Sequence, residues 1–127
     1  MVKTMVIKTE IHHETENGDV LTLLEDLHVT WRGKVLTVPA GFESDGCSVP
    51  RAFWGLVSPN IDPRTLRAAI VHDYIYRSSI AGWTRLEADE LFYDFMVEDG
   101  FPKFKAGLAY YGVRWFGSGS WRGDDTE

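Results

Sequence analysis

At 127 residues, with 44% hydrophobic and 25% charged residues, the chain has the size and composition of one ordered globular domain, which excludes a largely disordered protein. Its formal net charge of −6 works against binding nucleic acid or anionic lipid except through a local basic patch. The lone cysteine, Cys47, excludes an internal disulfide, and neither a signal-peptide core nor the roughly 18 apolar residues of a membrane span can be found.

The first 42 residues read as strands. Val2, Val6 and Ile11 lie among polar residues, and Asn17-Gly18-Asp19 is a hairpin turn signal leading into Val20 to Leu24. Leu27, Val29 and Trp31 then alternate with His28, Thr30 and Arg32, the period of a half-buried strand that leaves His28 on the solvent side. Arg32-Gly33-Lys34 turns the chain into Val35 to Val38, so an antiparallel meander is expected. A long connection over residues 43–61 follows. Its Gly, Pro, Ser and Asp content suits a loop, while Val49, Phe53, Trp54 and Leu56 argue for an ordered one.

Three helices are expected between residues 62 and 116. Asp62-Pro63 opens the first, which runs to about Arg77. Thr84-Arg85-Leu86-Glu87 is a capping box for the second, with Gly100 as its stop. Pro102 starts the third, where Phe104, Leu108, Tyr111 and Trp115 form one apolar stripe and Ala106, Gly107, Ala109 and Gly112 allow a neighbour to come close. The expected architecture is α+β: a meander, a long loop and three packed helices in one domain over residues 1–117. A flexible acidic tail over residues 118–127 completes the chain, with Trp121 its ordered exception.

The helices carry the chemistry. His72 and Tyr76 are four residues apart and share a face, with Asp73 one step round at the edge of the apolar stripe. A carboxylate in that position must be hydrogen-bonded, paired or metal-bound. Asp89 borders the apolar face of the second helix, and antiparallel packing would carry it to His72. A carboxylate on one ring nitrogen fixes the tautomer and leaves the other as a base. Asp73, with carbonyls of the Asp45-Gly46 loop, could then ligate a hard cation such as calcium. Buried His, Tyr and Asp side chains also simply satisfy one another, and that structural reading stands beside the catalytic one.

Other nucleophiles are weaker. Ser48 could attack with His72 as base and Asp89 or Asp45 behind it, but it lacks the Gly-x-Ser-x-Gly setting of a nucleophile elbow. Cys47 has only Arg51 nearby to lower its thiol pKa. Arg122-Gly123-Asp124 is a chance tripeptide in the tail.

Two resemblances bear on function. Val38-Pro39-Ala40-Gly41-Phe42, the Asp45 to Arg51 loop with its Ser48-Val49-Pro50-Arg51, His72 to Tyr76, Ala88 to Phe92, and Tyr110 to Arg114 together resemble an uncharacterised family of small phage and bacterial proteins. That resemblance implies a phage or prophage origin: synthesis in the host cytoplasm, incorporation into a virion, and phage structural subunits as partners. The order His-Asp-x-x-Tyr, Ala-Asp-x-x-Phe and a helix with paired aromatics is also similar to the catalytic core of secretory-type phospholipases, closest to the disulfide-free parvoviral form. It implies that His72 activates water, Asp89 orients His72, Tyr76 supports the network, and Asp73 with carbonyls near Gly46 binds calcium. A lipid or other cell-envelope substrate would follow.

Overall fold

A computed structural model describes residues 9–14, 18–44, 63–78 and 80–121. The chain forms two compact units, Met1–Asp45 and Gly46–Glu127. The first holds the strands and the second the helices, which together make the α+β arrangement expected from the sequence.

Strands β1 (Thr9–Glu14) and β2 (Gly18–Leu23) form an antiparallel hairpin in which Thr9 faces Leu23 and Glu14 faces Gly18. Strands β3 (Leu27–Trp31) and β4 (Lys34–Val38) form a second, with Leu27 opposite Val38 and Trp31 opposite Lys34. The two hairpins do not join into one run: β2 takes the short β5 (Glu43–Ser44) as its other neighbour. Backbone bonds between Leu23 and the Gly41-Phe42 segment carry the chain across to that pairing. The β3–β4 turn has positive φ at both Arg32 (48°) and Gly33 (80°), the twist that suits a two-residue hairpin. Glycine adopts this at no steric cost, whereas Arg32 is strained there. Its guanidinium lies 4.4 Å from the centre of the Trp31 ring. Leu27, Val29, Trp31, Leu36 and Val38 are buried. On the opposite face His28 Nδ1 meets Thr37 Oγ1 at 2.8 Å, as the alternation requires.

In the second unit a 3-10 turn, Pro63–Thr65, leads into α1 (Leu66–Ser78). The helix opens there because proline has its φ preset and no N–H to lose. Asp62, the expected cap, lies outside the described residues. Helix α2 (Arg85–Glu98) starts at the capping box: Glu87 N–H donates to Thr84 Oγ1, and Thr84 N–H to Glu87 Oε1, both at 3.1 Å. It ends at Asp99, and Gly100 turns the chain with φ of 96°. Helix α3 (Lys103–Phe116) follows.

Helices α1 and α2 run antiparallel, locked at one end by Arg67. This buried guanidinium donates to both oxygens of Asp99, at 3.0 and 2.9 Å, and lies over the Phe95 ring. Between them Val71, Ile75, Ala88, Leu91, Phe92 and Met96 are fully enclosed. Helix α3 packs through its small face, with Ala106, Ala109, Gly112 and Val113 buried. The apolar stripe read from the sequence is real but turned outward, since Phe104, Leu108, Tyr111 and Trp115 are all exposed. Small residues let the helix approach its neighbour closely, and the large ones stand on the far side.

The chain stays ordered past Gly117: Ser118–Ser120 make a 3-10 turn and Trp121 is buried. A side chain at Gly117 would place its Cβ 2.4 Å from Val113 O and 3.1 Å from the Tyr76 hydroxyl, so only glycine fits this turn.

Candidate functional site

The three helices meet at one carboxylate. Asp89, fully buried on α2, has its Oδ1 2.7 Å from His72 Nε2 and 2.6 Å from the Tyr76 hydroxyl, both on α1. Its Oδ2 accepts from Arg114 Nη1 of α3 at 3.0 Å, with Arg85 Nη1 at 3.7 Å. An isolated carboxylate in such a place would be prohibitively costly, and these donors are what keep it there. A carboxylate only accepts, so Nε2 carries the hydrogen, and in the neutral ring Nδ1 holds the lone pair. The imidazole lies between the rings of Tyr76 and Phe92, with centroids at 4.2 and 4.5 Å, which fixes its plane.

Tyr76 also receives Arg85 Nη1 at 3.4 Å and meets Trp121 edge-on. Arg85 itself reaches the last turn of α3, donating to Val113 O and Arg114 O at 3.1 and 3.2 Å. Val113 O also accepts from the Gly117 N–H at 2.9 Å, so the guanidinium reinforces the C-terminal end of α3.

Burial, and then the charge of Asp89 beside it, push the Tyr76 hydroxyl far above its ordinary value near 10. Tyr76 is therefore a hydrogen-bond donor and not a base. At pH values below about 10 both folded and unfolded chains keep the phenol proton, and its full stabilisation is present. Above that the unfolded chain loses the proton first, so stability falls as pH rises, by about 1.4 kcal/mol per pH unit. Urea unfolding between about pH 9 and about pH 11 is expected to show this fall in wild type and a shallower one in Tyr76→Phe. Equal slopes would mean that the phenol ionises as readily in the folded protein.

Of the residues singled out in the sequence, His72, Asp89 and Tyr76 come together. Asp73 is also fully buried, and its Oδ2 accepts from Arg77 Nη1 at 3.3 Å, one turn further along α1. Calcium takes six to eight oxygens. Among the described residues no group of three or more His, Cys, Asp or Glu side chains is placed to hold a metal, and a guanidinium beside Asp73 competes for its charge. These residues alone do not fit calcium. The other expected ligands, Asp45 and Gly46, lie outside the described residues, as do Ser48 and Cys47. Arg114 and Trp121 were not anticipated as members of the site. Arg85 could have been, since it stands four residues before Asp89.

The chain belongs to the family described as "Protein of unknown function (DUF1353)", whose match covers residues 21–113. That span holds His72, Tyr76, Arg85 and Asp89 and stops just short of Arg114. Two relatives from Sinorhizobium fredii (strain NBRC 101917 / NGR234) are similar to it. "Uncharacterized protein y4jT" is 31% identical over 80 residues, covering 63% of this chain and 23% of its own length. "Uncharacterized protein y4iH" is 33% identical over 75 residues, 59% of this chain and 30% of its own length. The chain thus spans less than a third of either relative. No solved structure matches it. No helix among the described residues is long and apolar enough to cross a membrane.

Proposed function

We propose that this protein is a small hydrolase in which His72, oriented by Asp89, acts as general base on an ester such as a phospholipid. The observation supporting this reading is the 2.7 Å pairing of His72 Nε2 with a carboxylate that Tyr76 and Arg114 hold in place. That pairing directs the ring's basic nitrogen, Nδ1, away from Asp89. In the proposed reaction Nδ1 takes a proton from water as the water oxygen bonds to the ester carbonyl carbon. The carbon–oxygen bond to the alcohol then breaks, and the imidazolium returns the proton to the departing oxygen. Products are a carboxylic acid and an alcohol. Asp89 stabilises the transient imidazolium, and Tyr76 and Arg114 hold Asp89. A phage origin, with a lipid or cell-envelope substrate, is the setting that goes with this proposal.

The test is release of fatty acid from phospholipid, and of acid from a simple water-soluble ester, by purified wild type and His72→Gln. Turnover by wild type alone is expected; inactivity of both on every substrate defeats the reading. A second reading has one observation on its side: His72, Tyr76 and Asp89 are all fully enclosed. In that reading the cluster is a structural clasp in a non-enzymatic virion or tail-associated phage component.

Calcium plays no part in this scheme. The separate proposal that Asp73 binds it, with Asp45 and Gly46, predicts a higher melting temperature for wild type in millimolar calcium. Ligand at a hundred times its Kd adds about 2.7 kcal/mol, a shift of several degrees. The rise should be absent in Asp73→Asn, and unchanged melting of wild type ends the calcium proposal.

A further inference from the structure

Among the described residues, α3 gathers several exposed large apolar side chains along one face. Phe104, Leu108, Tyr111 and Trp115 are 70%, 53%, 54% and 71% exposed, and Phe116 adds a further exposed ring at the helix end. At 3.6 residues per turn the four lie within one narrow sector and extend about 17 Å along the axis. A soluble chain does not normally leave such a contiguous apolar ridge in water.

Charge says what covers it. The chain has a net charge of −6, yet α3 contains Lys103, Lys105 and Arg114 and no carboxylate. Arg114 is engaged with Asp89, whereas Lys103 and Lys105 fall on either side of Phe104, about 100° round the helix in each direction. Both lysines also sit in the first turn, at the positive end of the helix dipole, where acidic residues are the stabilising choice. Helix stability gains nothing from them there, and their charge suits a negatively charged partner. Aromatic rings along one face with lysines at its flanks make the pattern of a helix lying in the plane of a lipid headgroup layer. A second copy of the chain fits less well. A two-fold interface through this face would bring one basic helix against another.

We infer that the Phe104–Leu108–Tyr111–Trp115 face of α3 is an anionic-lipid docking surface, with Lys103 and Lys105 pairing with headgroup phosphates. This inference deepens the hydrolase reading by naming its substrate as lipid presented in an aggregated, negatively charged layer. Docking itself needs no turnover.

Co-sedimentation with vesicles of phosphatidylcholine, with and without phosphatidylglycerol, tests it on the full chain. Wild type is expected to sediment with the mixed vesicles and to remain in solution with phosphatidylcholine alone. Phe104→Ala with Trp115→Ala should abolish sedimentation, and Lys103→Gln with Lys105→Gln should weaken it at least tenfold. These side chains are exposed, so circular dichroism should report unchanged folding. His72→Gln should sediment like wild type, which separates docking from catalysis. Vesicle binding without fatty acid release would sink the hydrolase reading and keep the docking surface. Hydrolysis of a soluble ester by a protein that never sediments would do the reverse. Sedimentation unaffected by the lysine pair overturns the inference, as does a wild-type dimer that Trp115→Ala dissociates and that ignores vesicles.

Discussion

Asp89→Ala is expected to lower the unfolding free energy by about 3–5 kcal/mol, the usual cost of removing one partner from a buried charge network. Its carboxylate receives hydrogen bonds from His72, Tyr76 and Arg114, which lie on the two helices that flank α2. Deleting it removes the acceptor shared by a fully buried imidazole and phenol, and takes the common counter-charge from Arg85 and Arg114. An unfulfilled buried donor costs about 1–3 kcal/mol on its own, so several at once would take much of the 5–15 kcal/mol that holds a typical domain together. Urea unfolding reads this directly, as a lower midpoint at unchanged slope. Asp89→Asn should fall between, since its amide oxygen can still accept from His72 and Tyr76 while its NH2 opposes Arg114. A loss below about 1 kcal/mol for the alanine variant would mean that the cluster is incidental to the packing of the three helices.

What the sequence made legible follows the range of each interaction. The α2 capping box and the stop at Gly100 involve residues three apart or a single φ, so they can be read directly off the chain. The β3–β4 hairpin likewise follows from strict alternation around a Gly-containing turn. The pairing of β2 with β5 does not, because a two-residue strand carries no periodicity. In the site, His72 and Tyr76 are a local pair, and Asp89 could be placed near them because each borders an apolar stripe. Arg114 could not. It is 25 residues from Asp89, and its partner is decided by how α3 lies against α2. That packing was itself the hidden step. The helix offers two candidate inner faces, one large and aromatic, one small. The aromatic stripe carries the stronger hydrophobic signal, but the small face permits backbone approach, and Ala106, Ala109 and Gly112 are the residues buried. Putting those residues inside fixes Arg114 beside Asp89 and leaves Trp115 in the open.

Substitution of His72 by glutamine separates the two readings of the site. Glutamine keeps an N–H able to reach Asp89 Oδ1, so the carboxylate retains a donor, but it has no nitrogen that titrates near neutral pH. As a general base His72 is worth about 10²- to 10⁴-fold in rate, and His72→Gln should lose that much turnover on any ester the wild type cleaves. The loss should fall on kcat, because proton transfer occurs in the transition state and not in binding. Stability should change far less than in Asp89→Ala, by about 1–2 kcal/mol, as expected for a reshaped hydrogen bond within intact packing. The clasp reading predicts another pattern. There His72→Gln and Tyr76→Phe should both cost stability, with no substrate whose turnover depends on either. Turnover decides, because a purely structural imidazole has no reason to abolish rate in a variant that remains folded. If His72→Gln remains folded and wild type cleaves phospholipid while the variant does not, the fully enclosed imidazole must become accessible during turnover. Hydrogen exchange at the α1–α2 contact should then speed up when substrate is added.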